Sequence, residues 1–138
     1  MDAFQASALI HAPPERIWSI LTDAPAYQGW DSGVTRVDGR IADGEKITVH
    51  SEVAPGRAFP VTVSMRPPRL MTWTGGMPLG LFKGVRTFTL EAQGDVTKLT
   101  MREDYSGPLT GLMSRSIPDL GPSFERFVEG VKQRAEAG

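Results

Sequence analysis

The sequence contains no cysteine and only two histidines. The absence of cysteine excludes a disulfide scaffold, a cysteine-based zinc site and a thiol nucleophile. His11 and His50 lie on different predicted strands, without the spacing of a paired metal site. No serine lies in a G-x-S-x-G motif, and Gly75-Gly76 does not precede a helix as a phosphate-binding loop would. We therefore expect no metal and no cofactor.

An excess of charge of one sign is also absent. Fifteen basic and sixteen acidic residues give a formal net charge of −1 without a basic block, so binding to nucleic acid or to an anionic membrane surface is not predicted. No apolar run approaches the roughly 18 residues of a membrane span. The first residues lack the basic and apolar segments of a signal peptide. We expect a cytoplasmic protein without stable membrane insertion, either a monomer or a homodimer.

The pattern of apolar residues predicts a first strand over residues 4–11 and then two short helices. Pro13, Pro14 and Glu15 favour the start of an amphipathic helix that runs to about residue 22, and a short helix or turn follows over residues 27–30. From Val34 the apolar period becomes two, which indicates strands joined by hairpin-length turns and hence antiparallel pairing. The further predicted strands cover residues 34–40, 45–53, 58–66, 70–74, 85–93 and 96–105.

After Gly107 the pattern is helical again. A short helix is predicted over residues 109–116, then a break at Pro118, Gly121 and Pro122, and then the main helix from about Pro122. The sequence therefore predicts one α+β domain over residues 1–138. In this domain a curved antiparallel sheet of six to seven strands wraps around the long C-terminal helix.

The last predicted hairpin has a self-consistent register. If Gly94-Asp95 forms a two-residue loop, each face of the hairpin has one chemical character, polar on one side and mainly apolar on the other. A shift by one residue would mix the two faces. The mainly apolar face then pairs Leu90 with Leu99, Phe88 with Met101, Arg86 with Glu103, and Gly84 with Tyr105.

Arg86 and Glu103 thus form an ion pair on an otherwise apolar face. One interpretation is a salt bridge at the rim of the sheet, which contributes roughly 0–1 kcal/mol when exposed. The other is a polar anchor inside a cavity, where a few placed polar groups orient an apolar ligand. The neighbouring Phe88, Met101 and Tyr105 favour the cavity.

Other apolar side chains on the predicted strands and turns are candidates for the cavity wall, with ordinary core packing as the alternative for each. Trp30 follows a turn and could line the mouth of a pocket. The apolar connection over residues 75–80 is either a lid or a plain hairpin loop. The predicted ligand-binding residues are Trp30, Phe59, Trp73, Phe82, Arg86, Phe88, Met101, Glu103, Tyr105 and Phe124.

A set of weaker features extends in a specific order over nearly the whole chain. It comprises IHAPPERIW at residues 10–18, Leu21-Thr22-Asp23, Tyr27, Trp30, Pro68-Arg69-Leu70 before Trp73, Phe88, and Glu103-Asp104-Tyr105-Ser106-Gly107. This order resembles the SRPBCC superfamily, which includes START-like lipid-transfer domains, polyketide cyclase/dehydrase-type proteins and the birch pollen allergen fold. The resemblance implies a helix-grip fold in which a seven-stranded curved sheet, two short helices and a long C-terminal helix enclose a deep hydrophobic cavity.

The chain departs from many bacterial proteins of this kind at Arg86, where they carry a histidine. A permanently charged arginine is a poor general base near neutral pH, but it suits a carboxylate, enolate or phenolate ligand. We therefore expect the binding or carriage of a small hydrophobic or amphipathic ligand, such as a lipid, a fatty acid or an aromatic polyketide. One alternative is a polyketide cyclase/dehydratase-type enzyme that uses Glu103 and Arg86. Another is a domain with a filled interior that acts through partner contacts.

Overall fold

The computed structural model describes residues 3–113, 115, 117 and 119–137. Within these residues the chain forms seven strands, three α-helices and two 3₁₀ helices, one between the first helix and the second strand and a one-turn helix, Pro78–Gly80, between the fifth and sixth strands. The strands are β1 (Ala3–Ile10), β2 (Val34–Asp38), β3 (Lys46–Ser51), β4 (Phe59–Arg66), β5 (Leu70–Gly76), β6 (Lys83–Gln93) and β7 (Val96–Ser106). The helices are α1 (Pro14–Leu21), the 3₁₀ helix (Ala24–Gly29), α2 (Thr110–Met113) and α3 (Gly121–Ala137).

The strands form one antiparallel sheet in the order β1-β7-β6-β5-β4-β3-β2. From β2 to β7 each strand pairs with the next one in the chain, whereas β1 and β2 lie at opposite edges of the sheet. The segment that contains α1 and the 3₁₀ helix connects these two edges. The hydroxyl of Tyr27 donates a 2.6 Å hydrogen bond to the carbonyl of Leu21, which attaches the 3₁₀ helix to the end of α1.

The long helix α3 packs against β1, β7 and α1. Its buried side chains recur at steps of three and four residues, which places them on one face. Phe127 on this face lies 5.8 Å, between ring centroids, from the fully buried Phe88 of β6. The predicted α+β class with a helix-grip arrangement of curled sheet and C-terminal helix is confirmed.

The predicted register of the last hairpin is confirmed at every pair. Gln93 faces Val96 across the loop, and Gly94 in that loop has a φ of 67°, a backbone conformation that glycine adopts readily. Arg86 faces Glu103 as expected. The strand bounds differ from the predicted ones by one or two residues. The predicted short helix is observed as α2, and Ser114, Ser116 and Pro118 of the predicted helix and break lie outside the described residues.

Candidate ligand-binding cavity

A cavity of about 340 Å³ lies between the concave face of the sheet and α3. Its wall is mainly apolar, and its mouth is partly open to solvent. Val53 and Phe59 contribute to the wall and are also exposed, which marks where the cavity meets the surface. The volume lies at the lower end of the range of roughly 300–1,000 Å³ that is typical of small-molecule sites.

Arg86 and Glu103 form an ion pair on this wall. Arg86 Nε donates a 2.8 Å hydrogen bond to Glu103 Oε1, and the two side chains are only 20% and 16% exposed. Both line the cavity. The pair is therefore largely shielded from solvent. In such an environment ionic and hydrogen-bonding interactions are stronger than at an open surface.

Arg86 is held by more than its ion pair. Its guanidinium carbon lies 4.9 Å from the centre of the Phe124 ring, in a cation–π arrangement with α3. Nε is the guanidinium nitrogen that donates to Glu103, and the two terminal nitrogens donate no hydrogen bond to any described residue. A guanidinium with terminal N–H groups at a cavity wall can accept a planar anion such as a carboxylate.

Tyr105 completes the polar cluster. Its hydroxyl donates a hydrogen bond to Glu103 Oε2, so both oxygens of the carboxylate have donors. The Tyr105 ring stacks on Phe82 at 5.7 Å between centroids, and Tyr105 lies directly opposite Gly84 in the β6–β7 pairing. Burial and, second, the Glu103 charge raise the pKa of Tyr105 well above its usual value. Tyr105 therefore stays a hydrogen-bond donor.

An aromatic group continues the wall next to this cluster. Trp73 of β5 faces Arg86 across the β5–β6 pairing and is 3% exposed. Its rings pack against Phe88 at 5.0 Å and Tyr27 at 6.2 Å between centroids. The indole nitrogen of Trp73 is buried and has no hydrogen-bond partner among the described residues.

Two of the predicted ligand-binding residues do not line the cavity. Trp30 packs outside it, with its ring 5.5 Å from Tyr27 and 5.3 Å from Phe127, and lies against Gly130 of α3. Phe88 is fully buried behind Trp73 in the core. The other predicted residues lie on the cavity wall: Phe59, Trp73, Phe82, Arg86, Met101, Glu103, Tyr105 and Phe124.

The sequence reasoning also missed part of the wall. Leu120 directly precedes α3 and Phe127 lies on it, four residues before and three residues after Phe124, so the apolar stripe that contains them was a usable signal. Val49 and Val61 follow the period of two on their strands in the same way. Arg57 lies in the β3–β4 connection, where no periodic pattern indicates which way a side chain points.

The predicted apolar connection between β5 and β6 is a hairpin loop close to the cavity. Met77 N donates a 2.8 Å hydrogen bond to the carbonyl of Phe82, which closes the loop, and Leu79 at its tip is 96% exposed. Gly107 packs directly against the loop, because a Cβ at this position would lie 2.7 Å from the carbonyl oxygens of Gly80 and Leu81. A lid function for this loop stays a prediction.

Among the described residues, no three histidine, aspartate or glutamate side chains come together as a metal site would require. No helix within those residues combines the length and the hydropathy needed to cross a bilayer.

The comparison with protein families identifies the fold's relatives. The family described as "Polyketide cyclase / dehydrase and lipid transport" matches residues 1–136. The chain belongs to this family. The predicted resemblance to the SRPBCC superfamily is thereby confirmed. No curated protein is significantly similar to the chain in sequence.

Solved structures support the same fold for this polyketide cyclase/dehydrase family member. A protein from Mesorhizobium loti superposes with a TM-score of 0.74 at 20% identity, over 98% of this chain and 97% of that one. The Zhui aromatase/cyclase from Streptomyces sp. R1128 superposes with a TM-score of 0.73 at 15% identity, over 97% and 93%. A Helicobacter pylori protein gives 0.76 at 11% identity, over 97% and 88%. At such identities these similarities establish the fold alone.

Proposed function

We propose that this protein binds and carries a small, mainly apolar molecule that ends in an acidic oxygen, such as a carboxylate, an enolate or a phenolate. The observation that carries the proposal is the position of Arg86 on the cavity wall. Its guanidinium is fixed by Glu103 and Phe124, and its terminal nitrogens donate to no described residue. A fatty acid or an aromatic polyketide acid fits this description. The family's description, which includes lipid transport, is consistent with it.

The volume and lining of the cavity support the proposal that most of the ligand is apolar. A volume of about 340 Å³ accommodates a two-ring aromatic acid or a medium-chain fatty acid, and the aromatic and aliphatic wall buries its hydrocarbon body. The exposed Val53 and Phe59 give the ligand an apolar path at the mouth. Burial of the hydrocarbon supplies affinity, and the Arg86 cation orients the molecule.

The Glu103 carboxylate tunes the affinity for an anion. Because Glu103 neutralises much of the Arg86 charge, an anionic ligand must compete with an internal carboxylate at 2.8 Å. The ligand is then held less tightly than it would be by an unpaired arginine, as release from a carrier requires. Tyr105 shares the Glu103 charge through its hydroxyl and keeps the carboxylate in place.

The test measures the binding of 2-naphthoate and decanoate, with their neutral amides as controls, by calorimetry. We expect the acids to bind more tightly than the amides, and Arg86→Gln to weaken the acids by roughly tenfold or more while the amides change little. Glu103→Gln should tighten the binding of the acids. Arg36→Gln, at an exposed arginine that pairs with Asp38 outside the cavity, is the matched control. Equal affinities for acids and amides would refute the proposal.

A cyclase/dehydratase reaction is the second candidate, and the Tyr105–Glu103 hydrogen bond favours it. This bond places a proton donor beside a carboxylate on the wall of an apolar cavity, an arrangement that can move a proton to or from a bound intermediate. Glu103→Gln should then abolish the turnover of a poly-β-ketone substrate while its binding remains. Unaltered turnover would exclude Glu103 from any such chemistry.

A further inference from the structure

Six of the seven large apolar side chains that are exposed among the described residues lie at one end of the sheet. We call it the mouth end: it comprises the β3–β4 connection, the β5–β6 loop and the segment after β7. Gly76 faces Lys83 and Lys83 faces Ser106, and a Cβ on Gly75 would lie 2.8 Å from the carbonyl oxygen of Pro60 at the start of β4. The six exposed apolar side chains at this end are those of Val53, Phe59, Met77, Leu79, Leu81 and Leu112.

Leu79 is the most exposed of the six and also has an unfavourable backbone conformation. It lies at the tip of the β5–β6 loop, is 96% exposed and has a φ of 62°, in the left-handed region that residues other than glycine rarely adopt. Leu79 therefore buries almost no surface within the protein, and a glycine or an asparagine would suit its backbone better. Local rules are broken in this way mainly at functional sites.

The segment after β7 holds the loop in this position. Leu109 N donates a 2.9 Å hydrogen bond to the carbonyl of Leu81, and the hydroxyl of Thr110 donates a 2.7 Å hydrogen bond to the carbonyl of Gly107. Leu112 follows on α2 and is 65% exposed. The loop tip and α2 therefore present their apolar side chains from a hydrogen-bonded framework.

The charge around these apolar side chains has one sign, which the overall net charge of −1 conceals. No acidic residue occurs at positions 53–90 or 105–118, the segments that carry all six apolar side chains. Three exposed cations lie in the same segments, and none of them has an ion pair with a described residue: Arg57, Lys83 and Arg115. The acidic residues that flank the segments at this end each have a donor: Glu52 from Arg126, Asp104 from Arg102, and Asp119 from the backbone N–H of Gly121.

We propose that the mouth end docks on an anionic lipid bilayer, with the tip of the β5–β6 loop inserted among the head groups. A protruding apolar tip with cations around it fits a soft, negatively charged surface, which takes up the apolar side chains and attracts the cations. A second copy of the chain fits less well, since a symmetric contact would bring the same cations against one another.

Docking in this orientation turns the mouth of the cavity, marked by Val53 and Phe59, towards the bilayer. An apolar ligand then passes between the membrane and the cavity without crossing bulk water. The docking goes beyond the proposed function and does not depend on it, because no ligand in the cavity is needed for it.

The test sediments the ligand-free protein with vesicles of phosphatidylcholine alone or of phosphatidylcholine mixed with about one third phosphatidylglycerol. We expect at least roughly tenfold stronger binding to the anionic vesicles, because several cations approach the surface. Most of this preference should disappear at about 1 M salt, where charges are screened beyond roughly 3 Å. Equal binding to both kinds of vesicle, or binding to neither, would overturn the inference.

Matched variants at the two ends of the sheet locate the contact. Leu79→Asn should weaken binding to the anionic vesicles roughly tenfold without harming the fold, since asparagine tolerates a left-handed backbone. Leu9→Asn changes the seventh exposed apolar residue, 52% exposed and opposite Lys98 at the other end of the sheet, and should have no effect. Lys83→Gln should weaken binding roughly fivefold, whereas Arg40→Gln, at an exposed arginine in the β2–β3 connection, should not. Equal effects at the two ends would refute the assignment.

A fluorescent label provides a second measurement that does not depend on affinity. The chain lacks cysteine, so Leu112→Cys and Leu9→Cys each accept one environment-sensitive fluorophore. Anionic vesicles should blue-shift and brighten the label at position 112 and leave the label at position 9 unchanged.

The same response at both positions would contradict the proposed orientation. A response at position 112 that grows with protein concentration in the absence of vesicles would assign the surface to a second copy and overturn the inference. If the protein binds the acids of the calorimetric test but no vesicles, this inference alone fails. If it binds anionic vesicles but none of the acids, the proposed function alone fails.

Discussion

Tyr105 donates its hydroxyl to Glu103 from a position two residues further along the same strand, so both side chains point to one face of the sheet. The Glu103 carboxylate is bound at Oε2 by this hydroxyl and at Oε1 by Arg86. Removing either donor leaves a largely buried negative charge with one partner fewer. The polar cluster is therefore expected to respond as a unit to substitution.

Tyr105→Phe is predicted to lower the free energy of unfolding by about 1–2 kcal/mol, because a hydrogen bond to a partly buried carboxylate is lost. The stacking on Phe82 is retained, so the effect reports the hydroxyl and not the ring. Urea denaturation of the variant and the wild type measures the difference. A variant as stable as the wild type would show that the hydrogen bond to Glu103 contributes no more to stability than hydration of the same groups by water.

Alkaline titration is predicted to show no tyrosinate until the protein unfolds. The chain has only two tyrosines, and burial raises the pKa of both above the usual value of 10.0. Above pH 10 the unfolded state loses these protons while the folded state keeps them, so stability falls as the pH rises. Absorbance at the tyrosinate band should therefore increase together with the loss of circular dichroism. Tyrosinate formation in the folded protein would contradict the burial of these hydroxyls.

Gly130→Ala is predicted to destabilise the protein, although alanine favours helices by about 1 kcal/mol over glycine. A Cβ at this position in α3 would lie 2.7 Å from the carbonyl oxygen of Asp31 and 3.0 Å from the Trp30 ring. Overpacking of this kind costs about 1–3 kcal/mol, so we expect a net loss. Gly29→Ala is the control, since a Cβ there meets no atom within 4 Å. In thermal denaturation, we expect Gly130→Ala to have a lower Tm than Gly29→Ala. The opposite order would contradict the prediction.

Glu136 is predicted to contribute stability that disappears in acid. The backbone N–H of His11 and, second, the Lys132 ammonium hold the pKa of this carboxyl below its usual value of 4.5. The contribution is present above the usual value and is lost as the pH falls through the lower value of the folded state. Denaturant curves for the wild type and Glu136→Gln should thus converge as the pH falls below 4.5. A constant difference down to low pH would show that the carboxylate is not responsible.

Most of the sheet could be predicted because its local signals agree with its tertiary pairing. In the last hairpin, the turn at Gly94-Asp95 and the alternation of apolar residues specify the same register, and this register places Arg86 opposite Glu103. The same alternation places Tyr105 on the face of Glu103, whereas the hydrogen bond between the two is a finding of the structure. The polar part of the candidate site was therefore accessible from sequence.

The sequence pattern could not predict which apolar residues line the cavity and which fill the core. Phe88 and Met101 are paired neighbours on one face, yet only Met101 lines the cavity, because Trp73 and Phe127 cover Phe88. Trp30 was misplaced for a similar reason. The side chain of a residue after a turn has no periodic direction, and its position depends on Gly130, which is remote in the sequence.

The placement of β1 beside β7 has a consequence for how the chain acquires its structure. The strands from β2 to β7 pair with their sequence neighbours, but Phe4 must find Glu103 near the other end of the chain. Contacts of such high contact order are slow to form, because a long loop must close before they stabilise anything. The successive hairpins are therefore expected to assemble early, with the docking of the N-terminal strand as a late and rate-limiting event. Only that last event packs the Phe4 ring against Tyr105 and Phe124, two residues of the cavity wall.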